Sequence, residues 1–206
     1  MNTTNDKLYK RYAPDSFYHI YSRGVNKEPI FKSDKDIEVF CSLFKRYLSK
    51  ELERSPSRHY YPNYNGQIEL LAYALMPNHF HILIYQAENE RAIEEFMKSL
   101  LTSYGKYFNR EYNRVGPVFQ SRYLAKLIIS EEHLFHISRY IHLNPDNWRN
   151  SPITSIDYYS GKRHADWVMP GRIEELFFDY KEYEKFLEDY SPDSNENYSD
   201  IEPYSD

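Results

Sequence analysis

The stretch that most restricts the fold runs from Ile68 to Gln86. Ile68 to Met76 and His79 to Gln86 are two runs rich in apolar, β-branched and aromatic residues, parted only by Pro77 and Asn78. Runs of this length and content read as strands. A two-residue break leaves room only for a tight reversal, so the two strands are expected to form an antiparallel hairpin. The rest of the chain must supply partners for that hairpin and cover its faces.

Phe17 to Arg23 reads as another strand, closed by Gly24. Ser33 can cap a helix with Asp36 at its third position. Ile37, Phe40, Phe44, Tyr47 and Leu48 recur at helical spacing, which predicts a helix over 34–53. Residues 55–66, with their prolines and asparagines, read as a loop. Ile93, Phe96, Met97, Leu100, Leu101, Tyr104 and Phe108 mark a second helix, and Val115-Gly116-Pro117 a turn. Tyr123 to Ile129 reads as a fourth strand. Ser130 can cap a third helix, which Pro145 ends.

The order is that of a β-α-β-β-α-β ferredoxin-like domain of the α+β class, with an antiparallel sheet and one added helix. Another α+β sandwich is the alternative. Three parts are expected: a catalytic domain over 14–150, a C-terminal extension over 151–190 packed on the core, and a tail over 191–206. Residues 174–190 read as helical. Residues 191–206, rich in Ser, Asn and Asp, read as disordered.

Charge does not exclude a nucleic-acid partner once its distribution is considered. The net charge is −5, but residues 174–206 hold 12 of the 31 acidic residues and only Lys181 and Lys185 among the 26 basic ones. The body therefore carries 24 basic against 19 acidic residues, a mild positive excess. Affinity for DNA depends on where Lys and Arg lie, not on the whole-chain balance. With Cys41 as the single cysteine, no disulfide framework and no cysteine-based metal site are expected. No apolar run is long enough to cross a bilayer, and Met1 to Tyr12 lacks the apolar core of a signal peptide. A cytoplasmic protein with no membrane partner is expected. The 22 tyrosines and 12 phenylalanines supply core area, and some of them could stack on unpaired bases. Tyr60, Tyr61 and Tyr64 form a loop that either stacks in this way or packs on the body.

Two segments carry candidate chemistry. In Met76-Pro77-Asn78-His79-Phe80-His81, the histidines stand two apart on a strand, so both rings project from one face. Such a pair can bind one divalent ion, or it can be two surface histidines. In Arg139-Tyr140-Ile141-His142-Leu143-Asn144-Pro145, Tyr140 and Asn144 stand one helical turn apart if the helix holds to its end. Leu134, Ile137 and Ile141 share a face that can dock on the sheet. An amphipathic helix with polar residues facing water also fits this pattern.

These strings occur in a telling order: Tyr18-His19-Ile20-Tyr21-Ser22-Arg23-Gly24, then the MPNHFH string, then Gly116-Pro117-Val118-Phe119-Gln120-Ser121-Arg122-Tyr123, then RYIHLNP. Together they resemble the REP-associated tyrosine transposases, relatives of the insertion-sequence transposases of the single-tyrosine HUH class. The resemblance runs from about Pro14 to Tyr190. It implies a ferredoxin-like core with the histidine pair on a central strand and Tyr140 as the nucleophile. It also implies that Asn144 helps His79 and His81 to hold a divalent metal, Mg²⁺ or Mn²⁺, although the insertion-sequence branch usually has Gln there.

The activity so implied is cleavage and rejoining of single-stranded or hairpin DNA through a 5′-phosphotyrosine intermediate, with nucleoid association. A homodimer would fit the insertion-sequence branch. Arg23, Arg122 and Lys126 are the phosphate contacts most expected, with Lys27, Arg110 and Arg114 as further candidates. Tyr104 and Tyr107 compete with Tyr140 for the nucleophile's role. A non-catalytic hairpin-DNA- or RNA-binding protein of the same fold is the alternative function.

Overall fold

The computed structural model describes residues 12–190; the acidic tail, 191–206, lies outside the described residues. In chain order the elements are β1 (Ser16–Arg23), α1 (Asp34–Leu48), β2 (Ile68–Met76), β3 (His79–Gln86), α2 (Ala92–Glu111), β4 (Leu124–Ile128) and α3 (Glu131–Leu143). Three short helices follow, α4 (Ile156–Tyr159), α5 (Gly171–Glu174) and α6 (Tyr180–Glu188). The sheet has the order β2-β3-β1-β4, with every neighbouring pair antiparallel. This is the expected ferredoxin-like arrangement, with α3 added to it.

The β2–β3 hairpin closes as its two-residue break requires, Met76 pairing with His79 across Pro77 and Asn78. Ser33 and Asp36 form the expected capping box at the start of α1. Strand alternation divides the sheet into two faces. On one, Tyr18, Ile20, Tyr73, Phe80, Ile82 and Ile84 meet α1 and α2 through Phe40, Phe44, Phe96, Tyr104 and Phe108. On the other, Ala72, Ala74, Leu83 and Tyr85 meet α3 through Leu134, Ile137 and Ile141, and meet the later helices through Ile156, Tyr159, Ile173, Tyr183 and Leu187.

Two boundaries differ from expectation. The first helix stops at Leu48 instead of continuing to 53. Ser49 turns extended, and the side-chain amides of Asn65 and Asn63 donate to the carbonyls of Leu48 and Ser49 at 2.8 and 2.9 Å. Those carbonyls need no further helical turn to be satisfied, and Leu52 beyond them is exposed. The helix expected over 174–190 is divided instead into the end of α5 and the separate α6. Asp179 turns extended and its carboxylate accepts the Glu182 N–H at 2.9 Å, starting a new helix.

Candidate active site

The histidine pair is positioned by the hairpin turn and by what holds that turn. The Pro77 carbonyl accepts the N–H groups of Ile30 and Phe31 at 2.8 and 2.9 Å, and the Asn78 carbonyl accepts the Gly24 N–H at 2.8 Å. Gly24 has to be glycine for this close approach: a Cβ there would lie 2.1 Å from the Glu28 carbonyl oxygen. The turn therefore leads into β3 at a fixed height. His79 and His81 emerge on the α3 face, opposite Arg23 and Tyr21 of β1. Their ring centroids are 5.0 Å apart, at an interplanar angle of 86°.

α3 brings the phenol to this pair. Ser130 caps the helix, accepting the His133 N–H at 3.1 Å, and Glu131 and Glu132 complement the positive end of its dipole. Docking of Leu134, Ile137 and Ile141 fixes its rotation, and that rotation turns the half-buried Tyr140 onto the histidines. The Tyr140 ring stands edge-on to His81, centroids 5.1 Å apart at 88°, and 6.1 Å from His19. Asn144 keeps helical geometry (φ −56°, ψ −39°) despite Pro145, so it remains one turn beyond Tyr140.

A buried polar clasp holds α3 from behind. His142 bonds through Nδ1 to the Tyr183 hydroxyl of α6 at 2.6 Å and through Nε2 to the Ser155 hydroxyl at 2.8 Å. Ser155 Oγ also accepts the Tyr73 N–H of β2 at 2.9 Å. The Tyr159 ring packs on His142 at 4.7 Å, and its hydroxyl donates to the Leu71 carbonyl at 2.8 Å. Segments beyond residue 150 thus tie α3 to the edge strand β2. Burial holds His142 neutral, pushing its pKa down to about 3.

Burial keeps His81 and its neighbour His19 neutral, and the neutral imidazole is the form that can bind a metal. Burial, and then the neighbouring His19 and His79, push His81 well below the ordinary histidine range. Burial, followed by Lys126 and His133, pushes His19 down to about 3. The Nδ1 atoms of both candidate ligands are engaged: His79 Nδ1 lies 2.7 Å from Asn78 Oδ1, and His81 Nδ1 lies 2.9 Å from His19 Nε2. An imidazole that donates its Nδ1–H to such a partner keeps its coordinating lone pair on Nε2, as in metal-bound imidazoles with outer-shell partners. Among the described residues no group of three or more His, Cys, Asp or Glu side chains is arranged to hold a metal. The expected donors are His79 and His81, with Asn144 one helical turn beyond Tyr140.

The competing tyrosines lie on the other side of the sheet. Tyr104 is fully buried in the α1–α2 core, and its hydroxyl donates to the Ile30 carbonyl. The Tyr107 hydroxyl donates to Asp36 at 2.7 Å; burial, and then this bond, push its pKa up, away from a nucleophile's needs. Of the loop tyrosines, Tyr64 and Tyr61 pack on the body, while Tyr60 is exposed. Tyr64 is buried and bonds Ser99 at 2.9 Å, while Tyr61 and Tyr60 lie beneath the guanidinium groups of Arg46 and Arg54.

The expected cations separate. Arg23 is buried on the histidine face opposite His79, and the half-buried Lys126 shares that face opposite His19. Arg122 is exposed and lines a separate recess of about 840 Å³ between α2 and residues 116–123, together with Lys98 and Lys106. Arg114 reaches Glu28 at 3.4 Å, while Lys27 and Arg110 are exposed. Sequence reasoning missed His19 and Asn78 as partners of the histidine pair. Asn78 precedes His79 and could have been suspected as its cap. The contact of His19 with His81 depends on how β1 lies against β3.

A family model described as Transposase IS200 like matches residues 42–144, half of the chain. A search of curated proteins found no match. Among solved structures, a REP-associated tyrosine transposase bound to a REP hairpin is 15% identical, with a TM-score of 0.52, covering 78% of this chain and 90% of that one. A candidate transposase from Deinococcus radiodurans R1 is 16% identical, with a TM-score of 0.41, covering 68% of this chain and 95% of that one. At these identities the structural likeness is one of fold.

Proposed function

The chain belongs to the IS200-like transposase family, and we propose that it cuts and rejoins single-stranded or hairpin DNA with Tyr140 as nucleophile. The observation that carries this reading is the edge-on contact of Tyr140 with His81, at 5.1 Å, on the face that also presents His79. One phosphate can then touch both the phenol and the imidazole pair. The hairpin-bound relative of the same fold supports DNA as the partner.

Residues 14–150 form the catalytic unit in this reading, braced by 151–190. His79 and His81 would hold a divalent ion through Nε2, with Asn144 contributing its amide oxygen. When bound, Mg²⁺ or Mn²⁺ withdraws charge from the scissile phosphate; imidazole ligands favour Mn²⁺, and oxygen ligands favour Mg²⁺. Tyr140 Oη attacks phosphorus as its bond to the sugar 3′-oxygen breaks. The phenol passes its proton to water and the departing 3′-oxygen takes one back from water, leaving a 5′-phosphotyrosine and a free 3′-hydroxyl with no net change in protons. The reverse attack by another 3′-hydroxyl rejoins DNA and restores the phenol, so no nucleotide cofactor is needed. Arg23 and Lys126 lie on the reacting face and can counter phosphate charge there. Arg122, in its separate recess, can hold the strand at a distance from the cut. Two such chains could act as a homodimer at the nucleoid.

The test is incubation with single-stranded and hairpin DNA plus Mn²⁺, resolved on a denaturing gel. The parent protein is expected to form a covalent adduct that Tyr140→Phe does not form. Hairpin binding without any adduct would instead support the non-cutting alternative.

A further inference from the structure

We infer that His19 is a positioning residue for the metal pair: it accepts the His81 Nδ1–H, and so turns the His81 Nε2 lone pair toward the cleft. This inference rests on the reading of His79 and His81 as ligands.

The two histidines obtain the same orientation by different means. A neutral imidazole has one donor and one acceptor nitrogen. At His79 the direction follows from Asn78. The Asn78 Nδ2 donates to the Lys27 carbonyl at 3.2 Å, which leaves Oδ1 facing His79 Nδ1 at 2.7 Å. An amide oxygen only accepts, so the His79 proton sits on Nδ1 and the lone pair on Nε2. At His81 the equivalent position is taken by His19 Nε2 at 2.9 Å, with the two rings nearly parallel at 21°. Two proton arrangements fit this contact. If His81 donates, its Nε2 is a lone pair. If His19 donates, His81 carries its proton on Nε2 and repels a cation. Only the first serves a ligand.

Packing alone does not explain His19. Its ring is fully buried, and its Nδ1 has no hydrogen-bond partner among the described residues. A buried imidazole with half its polar capacity unmet is costly where an apolar side chain would fill the space. Its one hydrogen bond is made to His81. His19 also lies outside the matched family segment, 42–144.

Two measurements test the role. The first is Mn²⁺ binding by the full chain, read from the electron paramagnetic resonance signal of free Mn²⁺. His19→Phe keeps a ring without an acceptor and is expected to weaken binding about 10–100-fold. His19→Gln places an oxygen near the lost Nε2 and is expected to stay within about threefold of the parent, given that outer-shell losses begin near tenfold. The second is the His81 tautomer in the parent protein, read by long-range ¹⁵N–¹H NMR. A proton on Nδ1 supports the inference, and a proton on Nε2 overturns it. Folded His19→Phe that binds Mn²⁺ like the parent also overturns it. If His19→Phe fails to fold, the parent's tautomer still decides. If the parent takes up no Mn²⁺, the ligand reading fails, and the tautomer decides the hydrogen bond separately.

Discussion

The two faces of the sheet are covered by different chemistry. Against α1 and α2 the filling is aromatic and nearly dry, with Phe40, Phe44, Phe80, Phe96, Tyr104 and Phe108 all buried. Against α3 the filling includes His19, His81, His142, Ser138 and Ser155, all buried and polar. The first face stabilises through apolar area removed from water. The second spends part of its interior on groups that must be hydrogen-bonded, and only that side brings a phenol to an imidazole pair. One face makes the sheet rigid, and the other uses that rigidity to hold Tyr140 against the histidines.

The comparison can be broken most sharply at Tyr140. Tyr140→Phe is expected to lower adduct formation by at least about 1000-fold, as loss of a nucleophile does, with little change in the unfolding midpoint. On the opposite face, Phe96→Ala should cost about 3–5 kcal/mol of stability. Adduct formed per folded molecule should stay near the parent value, measured by urea unfolding alongside the gel assay. His142→Ala should sit between the two. It removes one partner from each of the Tyr183 and Ser155 hydroxyls, at about 2–4 kcal/mol. By loosening α3 it should also slow adduct formation about 100-fold.

Acid should separate the faces without any substitution. His142 is neutral when folded, with its pKa near 3, but takes a proton below about 6.5 when unfolded. Its contribution is complete above 6.5 and is lost as the pH falls from there toward 3. For this one group the slope is about 1.4 kcal/mol per unit. On the aromatic face burial opposes ionisation of Asp36, but bonds from Tyr112, Tyr107 and the N–H groups of Lys32 and Ser33 outweigh it and hold the carboxyl below its usual range. The stability Asp36 adds is present above 3.8 and is lost only as the pH falls below that. Between pH 4 and 6.5, protection against hydrogen exchange, taken relative to the intrinsic rate at each pH, should therefore fall in α3 and α6 before it does in α1. The smallest effect is expected from Tyr107→Phe, about 1 kcal/mol for one hydrogen bond, with adduct formation intact.

Much of this was legible in the chain because local rules agreed with the tertiary outcome. The β2–β3 hairpin, the α1 capping box and the apolar stripe of α2 each follow from residues within one element. The shared face of His79 and His81 follows from strand alternation alone. What was not legible depended on contacts between distant segments. α1 ends at Leu48 because Asn63 and Asn65 arrive from the following loop. His142 reads as one more polar residue of a helix until Tyr183 and Ser155 enclose it. His19 meets His81 only through the β1–β3 register, in which Tyr21 pairs with His81 and His19 lies two residues away on the same face. Tyr104 continues the apolar stripe of α2, which already pointed to packing, and it is fully buried; which face α3 covers is set by topology.

The most direct test of the central claim is the identity of the tyrosine that becomes joined to DNA. After adduct formation with hairpin DNA, nuclease trimming and trypsin digestion, mass spectrometry should place the residual nucleotide on the peptide running from Tyr140 to Arg149. Tyr140 is the single tyrosine in that peptide. A nucleotide found instead on a peptide containing Tyr104 or Tyr107 would contradict the account.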